Sequence, residues 1–292
     1  SRVREQARAA APPPAAVAAA GKRGGGEGKV VAVYSPKGGV GCTSIITNLA
    51  IALHSDETKV VVVDGNTQFG DVGVFFNLQG KNSLANVVEH ADELDADFVQ
   101  SVLVAHASGV KVLLGPPTPE DAELVTAPQL KKTLDGLRDH FAYVLVDTAA
   151  ALRDVELGIF DVADRIVLVA TPDIPALANI KKFFDLAEKL EYSGGKIMLI
   201  LNKVDKKGGI SATSVEGTLK HPVAVQILSD EKTVLTAINS GVPFITGPKT
   251  QPPVQGILDL AQKLKDGFAP KEAEADDKKK TAAKTTGMFQ RK

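Results

Sequence analysis

The chain has 292 residues, with 34 Lys and Arg against 35 Asp and Glu and a formal net charge of −1. A single cysteine excludes an internal disulfide, and the five histidines have no metal-ligand spacing with it, so we expect no structural zinc site. No apolar run reaches the ~20 residues that a membrane span needs. Residues 1–28 and 271–292 each carry +3, which leaves −7 for the residues between. Such an acidic body argues against broad binding to nucleic-acid phosphates.

Composition divides the chain into three segments. Residues 1–28 are rich in Ala, Pro and Gly and contain too little apolar bulk to offset the entropy of ordering them, so we interpret them as a disordered linker. Residues 29–268 are expected to form the folded domain. Residues 269–292 lack apolar periodicity and are expected to form a disordered charged tail. A membrane anchor in this tail is disfavoured because its apolar face is nearly absent.

Short runs of Val, Ile and Leu alternate with helical patterns in the expected domain. Runs of this kind are typical of strands that are buried on both faces, and the stretches between them are long enough for crossover helices. The predicted strands are 30–34, 60–63, 143–146, 166–169 and 197–201. We therefore expect an α/β fold, a mostly parallel twisted sheet with helices on both faces. The alternative, a closed α/β barrel, needs eight regular strand–helix units, and fewer are visible.

A glycine-rich loop follows the first predicted strand and precedes a predicted helix at 45–53. Glycines allow successive N–H groups to turn inward around an anion, and the start of the helix adds positive potential, so this context favours phosphate binding. The Thr43 hydroxyl is a candidate ligand for Mg²⁺. The predicted phosphate-binding residues are Lys37, Gly38, Gly39, Val40, Gly41, Cys42, Thr43 and Ser44.

The segment from Lys37 to Thr43 resembles the deviant Walker A motif of the MinD/ParA family of P-loop ATPases. The motif of that family carries two lysines, a signature lysine at its start and the P-loop lysine just before the threonine. The first is present as Lys37, and the second is replaced by Cys42. The resemblance implies ATP and Mg²⁺ as cofactors. It also implies a homodimer with ATP at the interface, in which Lys37 reaches the phosphates bound by the second copy.

Later segments are similar to further landmarks of the same family, so the resemblance covers about residues 29–266. Asp64 matches the first carboxylate of the family's D-x-D-x-Q segment, and Asn66 replaces the second, which helps to place the attacking water. Asp147 ends a segment that resembles the Walker B strand, and Asn202 matches the asparagine that contacts adenine. The implied metal site is Thr43, Asp64 and Asp147, and the implied catalytic set, degenerate at Asn66, is Lys37, Asp64 and Asn66.

Within the family, the altered loop and the sequence from Gln68 to Asp71 look most like the TadZ/CpaE branch, the localisation factors of Tad/Flp pilus assembly. In that branch a receiver-like domain commonly precedes the ATPase-like domain through a linker, so we interpret residues 1–28 as that linker and expect the receiver-like domain itself to be absent from this chain. The implied partners are pilus or secretion assembly proteins, without a specific nucleic acid and with only indirect membrane contact. The implied location is the cytoplasm, with placement at a pole or at the inner membrane through partners.

The substitutions at Cys42 and Asn66 both remove charged groups that hydrolysis uses. A P-loop lysine contributes a charge-assisted hydrogen bond of about 1.5–3 kcal/mol and also stabilises the transition state. We therefore expect ATP binding with slow or absent hydrolysis, in a dimerising localisation factor. Two alternatives stay open: an active ParA/MinD-type ATPase in partitioning or cell-division positioning, and a P-loop scaffold that binds no nucleotide.

Two minor features have simple interpretations. Cys42 is interpreted as a small side chain that fills the gap left by lysine, with a reactive thiol at the helix start as the alternative. Lys203, Lys206 and Lys207 form a small basic cluster, which we interpret as a solvated loop.

Overall fold

One sheet forms the centre of the protein in a computed structural model that describes residues 28–92, 94–192 and 195–269. Its strands are β1 (Lys29–Tyr34), β2 (Val60–Asp64), β3 (Val104–Ala105), β4 (Lys111–Leu113), β5 (Tyr143–Asp147), β6 (Arg165–Ala170), β7 (Ile197–Val204) and β8 (Val223–Leu228). They lie in the order β3-β4-β2-β5-β1-β6-β7-β8. β3 runs antiparallel to β4, and the other neighbouring pairs are parallel. The predicted sheet is confirmed, and the closed-barrel alternative is wrong because β3 and β8 form open edges.

Helices cover both faces of this sheet, as predicted. They are α1 (Cys42–Leu53), α2 (Val72–Phe75), α3 (Leu84–Val88), α4 (Ala96–Val102), α5 (Pro119–Ala122), α6 (Ala127–Arg138), α7 (Asp154–Val162), α8 (Ile174–Lys189), α9 (Ala212–Leu219), α10 (Glu231–Ser240) and α11 (Pro252–Phe268), with a 3-10 helix at Phe244–Thr246. Side chains alternate along a strand. Val30 and Ala32 therefore face a core that contains α6 to α9, and Val31 and Val33 face one that contains α1 and α11.

The five predicted strands are all present, and the helix predicted at 45–53 begins earlier, at Cys42. Sequence reasoning missed β3, β4 and β8. The first two are very short, and β8 lies at the sheet edge, where buried Val225 is followed by exposed Gln226. None of the helices in the described part of the chain has the length and apolar character needed to cross a membrane. The predicted linker and tail lie outside the described residues, except for Gly28 and Ala269.

The carboxyl ends of β1, β2 and β5 meet at one edge of the sheet. In the strand register Asp147 pairs with Asp64 on β2 and with Val33 on β1. From β1 the chain passes through α1 to β2 on one side, whereas from β5 it passes through α7 to β6 on the other side of β1. Open α/β sheets bind ligands outside the carboxyl ends of the strands at such a reversal. The glycine loop after β1 lies at this position.

Candidate functional site

The loop between β1 and α1 depends on glycine at two positions. Gly39 has φ 74° and Gly41 has φ 103°, in the left-handed region that other residues rarely adopt. A Cβ atom at Gly41 would also lie 2.6 Å from the side-chain nitrogen of Asn202. Gly41 is the N-cap of α1, and no side chain caps that helix start. The first N–H groups of α1 are therefore left to bind an anion at the loop.

Cys42 is the first residue of α1 and stands at the position that the P-loop lysine takes in the motif. Its side chain is half-buried and packs against the core that contains α1 and α11. Burial raises the pKa of the Cys42 thiol well above its usual value, and the nearby charge of Asp147 raises it further. The thiol is therefore neutral at physiological pH. This favours the gap-filling interpretation over a reactive thiolate.

Asp64 and Asp147 lie side by side at the ends of β2 and β5 and are almost completely buried. Asp147 Oδ2 accepts a hydrogen bond from Thr43 Oγ1 at 2.6 Å, and Asp64 Oδ2 accepts one from the N–H of Val72 at 3.1 Å. The Oδ1 atoms of both carboxyl groups are buried without a hydrogen-bond partner. Burial raises the pKa of Asp147 to about 7. Burial and then the charge of Asp147 raise the pKa of Asp64.

These two unpaired carboxylate oxygens fit a hard cation. A buried oxygen without a partner costs free energy, and a bound cation would remove that cost. Mg²⁺ usually takes one or two carboxylates together with phosphate oxygens and waters. No group of three or more His, Cys, Asp or Glu within the described ranges is placed to hold a metal ion. Thr43, Asp64 and Asp147 therefore suit Mg²⁺ only if phosphate and water complete its shell.

Lys37 is held by a residue of its own chain. Its Nζ atom lies 2.9 and 3.0 Å from the two carboxylate oxygens of Asp173, which is the N-cap of α8. Burial acts to raise the pKa of Asp173, but hydrogen bonds outweigh it and lower the pKa to about 2. The strongest of these comes from Lys37, and the others come from Thr171 and from the N–H of Ala176. Sequence reasoning missed Asp173, whose only local signal is that of a helix N-cap before proline.

The side chain of Asn66 does not contact another predicted site residue, although its backbone N–H acts on the carboxyl group of Asp64. Its Nδ2 atom donates to the carbonyl oxygen of Phe69 at 2.8 Å and so closes its own exposed loop. Phe69 itself is 76% exposed. The side chain of Asn66 faces the same cavity as the glycine loop.

Asn202 and Lys203 at the end of β7 both contact the glycine loop. Asn202 Nδ2 donates to the carbonyl oxygen of Val40 at 2.7 Å, and Lys203 Nζ donates to that of Gly39 at 2.8 Å. Lys203 is exposed, as a solvated group is, but it lies in β7 and its ammonium group is engaged with the glycine loop. Lys206 and Lys207 are exposed as Lys203 is, but no side-chain hydrogen bond joins them to the loop among the described residues.

A cavity of about 870 Å³ opens at this edge of the sheet, a size that suits a nucleotide. All predicted loop residues from Lys37 to Ser44 line it, together with Asn66 and Asn202. Asp64 and Asp147 are not among its lining residues, and Asp147 is joined to the lining by its hydrogen bond from Thr43. Part of the cavity lining is apolar and includes Val234, Leu235, Ile238 and Phe244.

Arg153, which sequence reasoning also missed, adds a third cationic side chain to the cavity wall besides Lys37 and Lys203. Its guanidinium group donates to both carboxylate oxygens of Glu156, at 2.9 and 3.2 Å, and its backbone N–H donates to one of them. Glu156 is completely buried. The pair fixes the start of α7 beside the cavity.

Comparisons with known proteins agree with this geometry. A family model described as an AAA domain matches residues 28–198. An uncharacterized ATP-binding protein of Methanocaldococcus jannaschii is 30% identical over 80% of this chain and 86% of its own length. The septum site-determining protein MinD of Thermotoga maritima is 27% identical over 74% of this chain and 80% of its own. The chain belongs to the MinD/ParA family of P-loop ATPases.

Solved structures show the same fold at lower identity. A ParA family ATPase from Chlorobium tepidum has a TM-score of 0.76 at 22% identity and covers 80% of this chain and 98% of its own. MinD of Pyrococcus horikoshii in complex with Mg-ADP has a TM-score of 0.70 at 21% identity and covers 81% of this chain and 95% of its own. The family resemblance drawn from the loop motif is thus confirmed, and so is the fold class.

Proposed function

We propose that this MinD/ParA-family protein binds ATP with Mg²⁺ and forms a nucleotide-linked homodimer, with slow or absent hydrolysis. The observation that carries the proposal is the replacement of an ammonium group by the neutral Cys42 thiol in an otherwise complete phosphate loop. The loop still has its glycines, the free N–H groups at the start of α1 and the Thr43 hydroxyl. These groups support the binding of phosphate and Mg²⁺. Hydrolysis lacks two charged groups that the family uses. Cys42 replaces the P-loop lysine, and Asn66 replaces a carboxylate with an uncharged amide that is hydrogen-bonded to Phe69.

The residues of the chain have separate tasks in this proposal. Backbone N–H groups of the loop hold the phosphates, and Thr43, Asp64 and Asp147 hold Mg²⁺, which supplies positive charge to the β- and γ-phosphate oxygens. Asn202 keeps its contact with Val40 at the loop. The apolar part of the cavity lining, which includes Val234, would pack against the adenine base and exclude water from it.

Dimerisation requires Lys37 to exchange the carboxylate of Asp173 for phosphates bound by a second copy. Two apolar side chains beside these groups support a second copy at this face. Phe69 on the cavity wall is 76% exposed, and Ile174, next to Asp173, is 75% exposed. Contact with a second copy at this face would cover both side chains.

We also propose that the dimer acts as a TadZ/CpaE-like localisation factor in the cytoplasm. It would present a binding surface to pilus or secretion assembly proteins and reach a pole or the inner membrane through them. Residues 29–268 would be the ATPase-like domain, between the linker and the charged tail. The acidic body supports protein partners over nucleic acid.

Calorimetry with Mg·ATP, followed by a phosphate-release assay on the same preparation, tests the proposal. Binding with little phosphate release is the expected result. Binding with ordinary MinD-like turnover would support the active ATPase, in which neighbouring groups fully restore the catalytic contribution of the missing lysine. Failure to bind at millimolar Mg·ATP would support the nucleotide-free scaffold.

A further inference from the structure

The end of β7 is distorted where it meets the glycine loop. The register between β7 and β8 shifts between Leu201 and Val204, and Lys203 has φ 57°, in the left-handed region that lysine rarely adopts. This distortion places two neighbouring side chains, Asn202 and Lys203, against two successive carbonyl groups of the loop. Unusual backbone geometry of this kind persists only where the surrounding contacts maintain it.

The two hydrogen bonds fix the orientation of two loop peptides. None of the described peptide bonds is cis, and in a trans peptide the C=O and N–H groups point in opposite directions. Lys203 holds the carbonyl of Gly39, so the N–H of Val40 must point away from β7. Asn202 holds the carbonyl of Val40 in the same way, so the N–H of Gly41 also points away from β7.

Lys203 differs from the other cationic side chains at the cavity in its hydrogen-bond partner. Lys37 is paired with Asp173, and Arg153 is paired with the buried Glu156. Lys203 donates to a neutral carbonyl group, and no carboxylate among the described residues forms an ion pair with it. Of the three cationic side chains that line the cavity, Lys203 thus brings positive charge that its own chain does not neutralise.

We propose that Lys203 is a positioning residue that takes over part of the work of the missing P-loop lysine. It holds the Gly39–Val40 peptide with its N–H toward the phosphates, and it places an ammonium group that has no carboxylate partner among the described residues beside a loop in which Cys42 replaces lysine. Asn202 fixes the next peptide. The inference rests on the proposed function, because it assumes that the ligand is a nucleotide polyphosphate.

Substitution of Lys203 tests this role by the affinity for three ligands, Mg·ATP, Mg·ADP and adenosine. Lys203→Met removes the ammonium group and keeps much of the side-chain length. We expect affinity for the two phosphorylated ligands to fall about 10–100-fold and affinity for adenosine to stay unchanged. Lys203→Arg should restore most of the loss. Lys206→Met, at a neighbouring exposed lysine, is the matched control and should bind as the natural protein does.

Two further variants separate positioning from folding. Lys203→Gly relieves the left-handed backbone, so it should unfold no earlier than the natural protein and still lose affinity for ADP. Cys42→Lys returns an ammonium group to the loop, so it should restore ADP affinity in the Lys203→Met background by more than it raises that of the natural protein.

The outcomes distinguish this inference from the proposed function. If the natural protein binds Mg·ATP and Lys203→Met binds it equally well, the inference is overturned and the proposed function remains. If Lys203→Met lowers the affinity for adenosine as much as the affinity for ADP, Lys203 maintains the shape of the whole cavity instead of the phosphate loop. The inference is then also overturned. If the natural protein binds no nucleotide, both are wrong.

Discussion

Lys37 and Asp173 form an ion pair between the start of the glycine loop and the N-terminus of α8, across 136 residues of chain. The pair holds the lysine that the proposed dimer needs. Both side chains are more than one-third exposed, so the pair contributes only about 0.2–1 kcal/mol. An energy of this size can be exchanged for a phosphate contact, which makes the pair a suitable restraint on dimerisation.

Release of Lys37 should favour the nucleotide-linked dimer. Asn is as good an N-cap as Asp, so Asp173→Asn should keep α8 intact while it weakens the hold on Lys37. We expect the protein concentration for half-dimerisation with Mg·ATP to fall about 2–5-fold, measured by light scattering. Lys37→Ala should abolish that dimer. Asp95→Asn, at the N-cap of α4, is the control. A weaker dimer in Asp173→Asn would show that Asp173 belongs to the interface instead.

Asp147 should make the metal-free protein less stable as pH rises. Its pKa is about 7 in the folded state and about 4 in an unfolded chain, so the folded state binds the extra proton between these values. The part of the free energy of unfolding that depends on Asp147 should therefore fall as pH rises from about 4 to 7, by at most about 1.4 kcal/mol per pH unit.

Thermal unfolding in EDTA from pH 5 to 8 measures this effect. Asp147→Asn cannot ionise there, so its midpoint should change less with pH than that of the natural protein. Mg·ATP should stabilise the natural protein more at pH 8 than at pH 6, because the cation binds the ionised carboxylate. Parallel pH profiles for the two proteins would contradict the assignment of Asp147 as a buried carboxyl group that takes up a proton in this pH range.

Gly41 should tolerate no side chain. Alanine there would combine the left-handed φ of 103° with a contact of 2.6 Å to Asn202, so Gly41→Ala should cost about 1–3 kcal/mol and displace the loop. Gly217→Ala on α9 meets no atom within 4 Å and serves as the control, with equal or higher stability. Chemical denaturation gives the stability, and calorimetry should show that Gly41→Ala loses ADP affinity. Unchanged affinity would indicate that phosphate is not bound at this loop.

The fold was predictable because five strands are buried on both faces and therefore read as unbroken apolar runs. The loop residues from Lys37 to Ser44 were predictable because they are contiguous in sequence. Asp173 and Lys203 were not, since they reach the loop from chain positions 136 and 164 residues away. Their contacts depend on where β6 and β7 end in the sheet, which no local pattern encodes.

The central claim is that backbone amides and Thr43 bind ATP at a loop in which Cys42 replaces lysine. The most direct measurement is a titration of the natural protein with Mg·ATP, with phosphate release followed in parallel for it and for Cys42→Lys. We expect saturable binding and slow phosphate release by the natural protein. Cys42→Lys should bind Mg·ATP about 10–100-fold more tightly and release phosphate faster. No binding by the natural protein, or rapid hydrolysis that Cys42→Lys leaves unchanged, would contradict the claim.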